Sequence, residues 1–235
     1  MSAVITLLTD FGYQDSYVGV MKGVIAGICP TTTVVDLTHA IPPQNLAAAR
    51  FALLSAYLYF PLGTIHTVVV DPGVGTTRRA IALQIPNGYL VGPDNGVLSG
   101  VWAQVGLTAV VELTNPQYWR TTDPSSTFHG RDVFAPVAAH LAAGVPLAAL
   151  GTAIAPESLI KLTIPAPKIT ETNAIGHVQH IDHFGNIITT LPAQDIHRQP
   201  WKLTLDTTEI PLGHTYGTVK PGEALALVGS HGWLE

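Results

Sequence analysis

Three aspartates end short apolar runs: Asp10 follows VITLLT, Asp36 sits near the end of TVVDL, and Asp71 follows IHTVVV. If those runs are strands of an open α/β sheet, their carboxyl ends are where such sheets bind ligands. Asp10 leads into Phe11-Gly12, and a carboxylate there can accept two O–H bonds at once, as a sugar diol offers. The structural alternative is a turn or cap aspartate feeding the next helix. Residues 71–79 read DPGVGTTRR, in which Pro72 fixes φ while Gly73 and Gly75 permit a sharp turn. Arg78 comes seven residues after Asp71, close enough to fold back on it. That pattern also fits a turn with a surface ion pair worth less than ~1 kcal/mol. A phosphate-binding loop fits poorly, because neither the P-loop lysine nor the dinucleotide fingerprint is present. In TFHGRD (residues 127–132), His129 offers a base or donor at a helix start, and Phe128 offers a stacking face. A lone histidine is more often structural, so His129 gains weight only from the company of Asp71 and Arg78.

A second cluster reads HVQHIDHFGN over residues 177–186. Histidines at spacing three invite a metal reading. In a strand, however, His177 and His183 point one way while His180 and Asp182 point the other, which splits the ligands. Asp182 and Asn186 flank a turn at Phe184-Gly185, and an asparagine can pair with an adenine edge through donor and acceptor together. An ordinary hairpin turn is the alternative. GPDNG (92–96) is a turn signal, and His39 reads as a structural group.

The elements that must position these residues follow from periodicity. Strands are predicted at Val4–Thr9, Thr33–Leu37, Ile65–Val70, Ala80–Ile85 and Tyr89–Val91. Helices are predicted over 16–28 (stopped by Pro30), 45–59 and 133–143. Strand–helix–strand order implies parallel strands with crossover helices, a doubly wound sheet over residues 1–160. Three prolines in 156–168 read as a linker. After it, short β-type runs at 174–182, 186–191, 201–205 and 224–228, with a turn at Lys220–Glu223, suggest a small antiparallel barrel or sandwich over 170–235. The chain is 47% hydrophobic and 11% charged, which supports a sizeable core. Its formal net charge of −5, without a basic cluster, argues against nucleic acid or an anionic membrane as partner. Cys29 is the single cysteine, so no internal disulfide forms. No signal peptide or spanning segment is read, and the expected address is the cytoplasm.

Seven segments occur in an order and spacing that resemble one family: LLTDFGYQDSYVGVMKGVI, VVDLTHAIPPQN, VVVDPGVGTTRR, GPDNG, TFHGRDVFAP, IDHFGNIITT and GSHGWLE. The chain is similar to the S-adenosylmethionine hydroxide adenosyltransferases, the adenosine-forming hydrolases related to fluorinase and chlorinase. The resemblance implies hydrolysis of S-adenosyl-L-methionine by water or hydroxide at the ribose C5′, with no metal or organic cofactor. It implies that Asp71, Arg78 and His129 handle the water, that Asp10 holds the ribose hydroxyls, and that Phe128 walls the ribose. It implies further that Asp182 faces the methionine amine, Asn186 reads adenine, and Ser230 lies near the methionine carboxylate. The resemblance implies an N-terminal α/β domain followed by a small C-terminal β-barrel, expected to be shortened at the end where relatives supply part of the adenine wall. The family assembles as a homotrimer with active sites between subunits.

The halogenating relatives carry tyrosine where this chain has Asp71, and the fluorinase carries serine at Gly130. An aspartate repels a halide in a dry pocket but accepts O–H bonds from water. The sequence therefore favours water over halide; a halide-using transferase and a non-catalytic adenosine or S-adenosylmethionine binding protein are the rivals.

Overall fold

The computed structural model describes residues 3–196 and 201–235, and the chain divides into two compact units, Met1–Leu162 and Thr163–Glu235. The first unit runs β1 (Val4–Thr9), α1 (Tyr17–Ile28), β2 (Thr33–Thr38), α2 (Leu46–Ala56), β3 (Thr64–Val69), β4 (Ala80–Ile85), β5 (Gly88–Pro93), α3 (Ser99–Val105), β6 (Ala109–Glu112), α4 (Ala135–Ala142) and β7 (Thr152–Ala153). These strands form one sheet in the order β2-β1-β3-β5-β4-β6-β7.

Only half of that sheet is parallel. β1 runs parallel to β2 and β3, and β3 parallel to β5, while β4 pairs antiparallel with β5 and β6. This corrects the expectation of parallel strands throughout. Pro86-Asn87 is all that joins β4 to β5, and a parallel return needs a crossover of a dozen or more residues.

The parallel half has the pattern of a sheet covered on both faces. Every residue of β3 is buried, and so is all of β1 after Val4. Ile5, Leu7, Ile65 and Val69 pack with Met21 and Ile25 of α1 and Val137, Ala138 and Leu141 of α4. Leu8 and Val68, on the opposite side of the pleat, are buried outside that cluster. Thr6 and His66 face each other across β1 and β3, Thr6 Oγ1 lying 2.9 Å from His66 Nδ1. Burial drives the His66 pKa down to about 4, so that histidine is neutral at physiological pH.

Caps and breakers set the helix ends. Asn45 Oδ1 accepts the Ala48 N–H at 3.0 Å to start α2. A π-turn over Gly130–Phe134 precedes α4. Pro136 has no N–H to give the Asp132 carbonyl, and that carbonyl accepts the Arg120 N–H instead, at 2.9 Å. The predicted helix over 133–143 therefore begins as a wide turn, a form common at functional sites.

The second unit carries three short antiparallel pairs: β8 (Lys168–Ile169) with β9 (Ala174–Ile175), β10 (Val178–Ile181) with β11 (Ile187–Thr189), and β12 (Leu203–Leu205) with β13 (Thr208–Ile210). A single helical turn, α5 (Ala193–Ile196), lies between the second and third pairs. Isolated bridges Pro192–Trp233, Leu212–Ala226 and Val228–Leu234 tie the segments together around Leu191, Ala226 and Leu234. Among the described residues there is no closed barrel. The run predicted at 224–228 makes bridges and no strand, and residues 197–200 of the expected domain lie outside the described residues.

Candidate active site

Sheet order explains why Asp10 and Asp71 come together. The chain leaves β1 for β2 on one side and returns to β3 on the other, so a crevice opens at the carboxyl ends of β1 and β3. Thr9 and Val69 are in register, which makes Asp10 and Asp71 neighbours one and two residues beyond. The Val70 carbonyl accepts the Asn95 side-chain N–H at 2.9 Å, so the GPDNG turn braces the end of β3.

The loop after β3 folds as its glycines allow. Arg78 returns onto Asp71, its Nε donating to Oδ1 at 2.9 Å and its Nη2 donating to Oδ2. The side chains of Arg78 and Asp71 are 9% and 5% exposed, so the surface ion-pair reading does not apply to them. The same Nη2 donates to His129 Nδ1 at 2.9 Å. With Nδ1 accepting, the imidazole proton sits on Nε2, which becomes a donor. The Arg78 guanidinium also lies 5.3 Å from the Phe134 ring, which restrains it from the side.

The loop carrying His129 is docked against the first by a contact only glycine permits. Gly75 has φ +75, and a Cβ there would fall 2.2 Å from the Ser126 carbonyl oxygen. A Gly75→Ala variant must separate the two loops. It is expected to lose about 1–3 kcal/mol of stability and at least about tenfold in kcat/KM. Turnover within about twofold of the parent, together with an unchanged melting temperature, would contradict this.

Asp132 anchors the other end of the second loop. Its side chain is 1% exposed and accepts from Arg120 Nε at 2.5 Å, Arg131 Nε at 2.7 Å and Nη2 at 2.8 Å, and the Ser125 N–H at 2.9 Å. Burial alone would raise its pKa, but the arginines and the Ser125 N–H outweigh this and hold the carboxyl well below the usual range. Sequence reasoning passed over Asp132; the adjacent Arg131 was its one local signal, since Arg120 lies twelve residues away.

Asp10, Phe11, Gln44, Asp71, Phe128 and His129 line a half-open cleft of about 160 Å³. Phe128 stands edge-on to Phe11 and Tyr17 at 5.7 and 5.2 Å, giving the cleft an aromatic wall. Gly130 lines it too; a Cβ there would meet Phe128 Cε2 at 3.1 Å and Met21 Sδ at 3.2 Å, so the site is built around a bare backbone. Asp10, Phe128, Asp71, Arg78 and His129 thus converge. Asp36 does not join them: it takes Lys22 Nζ at 2.6 Å and lies 3.1 Å from His39 Nε2, a structural cluster.

Burial, and then the Arg78 charge, lower the His129 pKa, with Asp71 and Asp132 opposing in part. Protonation would put a second donor at Nδ1 against Arg78 Nη2. The kcat/KM of the protein is expected to be flat above neutrality and to fall on the acid side with an apparent pKa below about 6.5. Stability follows the same sign: the His129 contribution is complete above about pH 6.5 and is lost as pH falls through the depressed value. An acid limb centred at or above about 6.5 would contradict this assignment.

The remaining candidates lie in the second unit. Asp182 Oδ1 accepts the Phe184 and Asn186 backbone N–H groups, each at 2.9 Å, and Oδ2 accepts Asn186 Nδ2 at 2.9 Å. Burial would raise the Asp182 pKa, and these donors lower it below the usual value. Asn186 Nδ2 also reaches Tyr216 Oη at 3.3 Å, and Tyr216 donates to Glu235 Oε1. That hydrogen bond, with burial, lifts the Tyr216 pKa to about 12. Tyr216 and Glu235 carried no sequence signal. Ser230 is exposed in a turn. β10 ends at Ile181, so His177 and His183 lie outside it and the alternation argument reaches only His180. Among the described residues, no group of three or more His, Cys, Asp or Glu side chains is arranged to hold a metal.

A family model described as the SAM hydroxide adenosyltransferase N-terminal domain matches residues 5–151, and that of the C-terminal domain matches residues 176–235. A Salinispora tropica protein named (R)-S-adenosyl-L-methionine hydrolase is 44% identical over 97% of this chain and 87% of its own length. A Thermus thermophilus protein of the same name is 40% identical over 97% of this chain and 89% of its own. A crystal structure of an uncharacterized conserved protein from Thermotoga maritima superposes with a TM-score of 0.90 at 38% identity, covering 98% of this chain and 90% of that one.

Proposed function

Because this chain belongs to the SAM hydroxide adenosyltransferase family, we infer that it is an enzyme hydrolysing S-adenosyl-L-methionine to adenosine and L-methionine. The observation that carries the reading is the contact chain Asp71–Arg78–His129 beside a cleft that Asp10 also lines. A carboxylate accepts an O–H from water while the imidazole Nε2–H donates to one of its lone pairs, so a water held by these two keeps its second lone pair for attack, with the guanidinium close by as a positive charge. The water oxygen bonds to the ribose C5′ in line, the C5′–S bond breaks with its electron pair going to sulfur, and a proton is released. Arg78 stabilises hydroxide character in the attacking oxygen. The sulfonium loses its positive charge in the same step, so a preorganised, partly dry site favours the change.

Asp10 takes the ribose hydroxyls and Phe128 the sugar face. In the second unit Asp182 takes the methionine amine, Asn186 the adenine edge and Ser230 the carboxylate. The cleft of the first unit, about 160 Å³, is smaller than the roughly 300–1,000 Å³ of a ligand pocket. That supports a site completed by a neighbouring copy in a homotrimer. A small antiparallel β-barrel for the second unit and a cytoplasmic address belong to the same proposal; among the described residues no helix is long and apolar enough to cross a membrane.

Purified protein incubated with S-adenosylmethionine in the presence of chloride and fluoride should release adenosine and methionine. Halogenated adenosine would overturn the choice of water, and tight binding without turnover would reduce the protein to a binding module.

A further inference from the structure

Gln44 has φ +64, one of two non-glycine residues with positive φ among those described. The turn that creates it closes with the Asn45 N–H on the Pro42 carbonyl at 3.0 Å, with Pro43 second and Gln44 third. That is the position where a type II turn demands positive φ and favours glycine or asparagine. The left-handed backbone aims the Gln44 N–H at Asp10 Oδ2, 2.8 Å away, and Gln44 lines the cleft with Asp10. Asp10 Oδ1 accepts no hydrogen bond from the described residues. Asn45, next in the chain, caps α2, so the turn is held from behind by a helix. Strain of this kind persists where surrounding structure fixes it, and it clusters at ligand sites.

We propose that Gln44 is a positioning residue: its strained backbone fixes one oxygen of Asp10 and leaves the other turned to a sugar diol. The inference rests on the reading of Asp10 as the acceptor of the ribose hydroxyls. An Asp10 side chain without that donor is free to rotate about χ1 and χ2, and part of the binding energy then goes into orienting it. The effect falls on nucleoside affinity and not on the chemical step, because Asp10 holds the sugar and Asp71 the water.

The test is adenosine binding by calorimetry, with kinetics alongside. Gln44→Val, whose β-branched side chain resists positive φ, should weaken adenosine binding about tenfold and raise KM equally, with kcat within about threefold of the parent. Gln44→Gly and Gln44→Asn, which accept the turn, should keep adenosine affinity within about threefold. In an Asp10→Ala background, Gln44→Val should add no further loss of affinity. Undiminished affinity in Gln44→Val would overturn the inference. So would a Gln44→Gly variant as weak as Gln44→Val, or a Gln44→Val effect that persists without Asp10. If the parent itself binds no adenosine, it is the reading of Asp10 that fails.

Discussion

Asp71→Asn should lower kcat for S-adenosylmethionine hydrolysis by on the order of 10²–10³-fold while adenosine still binds within a few-fold of the parent. The carboxylate is 5% exposed and holds Arg78 by two hydrogen bonds, with Arg78 passing one on to His129. An amide of the same shape presents one acceptor and one donor, so it cannot accept from both Nε and Nη2, and it carries no charge to attract the O–H of a water. Arg78 is then left largely buried without its partner, and a lower melting temperature should accompany the kinetic loss. Turnover within about tenfold of the parent would mean that Asp71 is a structural ion pair and no part of the water site.

Asp132→Ala should cost roughly 3–5 kcal/mol of stability, the range for removing one partner of a buried ion pair. For a chain of this size that corresponds to a melting temperature lower by about 6–20 °C. Four donors converge on Asp132, two of them from the loop that ends in His129, so activity should fall with stability. The pH dependence has a definite sign. The folded pKa of Asp132 is depressed, so its contribution is present above the unfolded value of about 3.9 and is lost as pH falls through the folded value. Asp132→Asn should therefore flatten the acid side of the stability curve. An Asp132→Ala variant with the melting temperature of the parent would show that the arginines find other partners.

Local signals were legible where one element explains itself. The apolar runs before Asp10 and Asp71 have the length and pattern of buried strands, and the Gly-rich DPGVG segment has the composition of a tight turn. The join between β4 and β5 is also readable, since Pro86-Asn87 is too short for a crossover, and the strand–helix rhythm of residues 4–70 stops there. α3 and β6, seven and four residues long, are too short for periodicity to single them out. Asp132 was hidden for a different reason. Its importance comes from Arg120, twelve residues away, and from Pro136, which frees the Asp132 carbonyl, a relation no spacing rule announces. In the second unit the strands are two to four residues long and tied by isolated bridges, so alternation never runs long enough to fix their pairing. The candidate site divided the same way. Asp10, Asp71, Arg78, Phe128 and His129 could be picked out by residue type and strand ends, whereas Gln44 depends on a backbone angle that its residue type disfavours.

Hydrolysis in water enriched in heavy oxygen, with mass spectrometry of both products, tests most directly whether the Asp71–Arg78–His129 group holds the attacking water behind C5′. Adenosine should carry a heavy oxygen at C5′ and methionine none, and the label should appear at a rate that collapses in Asp71→Asn. Unlabelled adenosine, label in the methionine, or labelling indifferent to Asp71 would contradict the account.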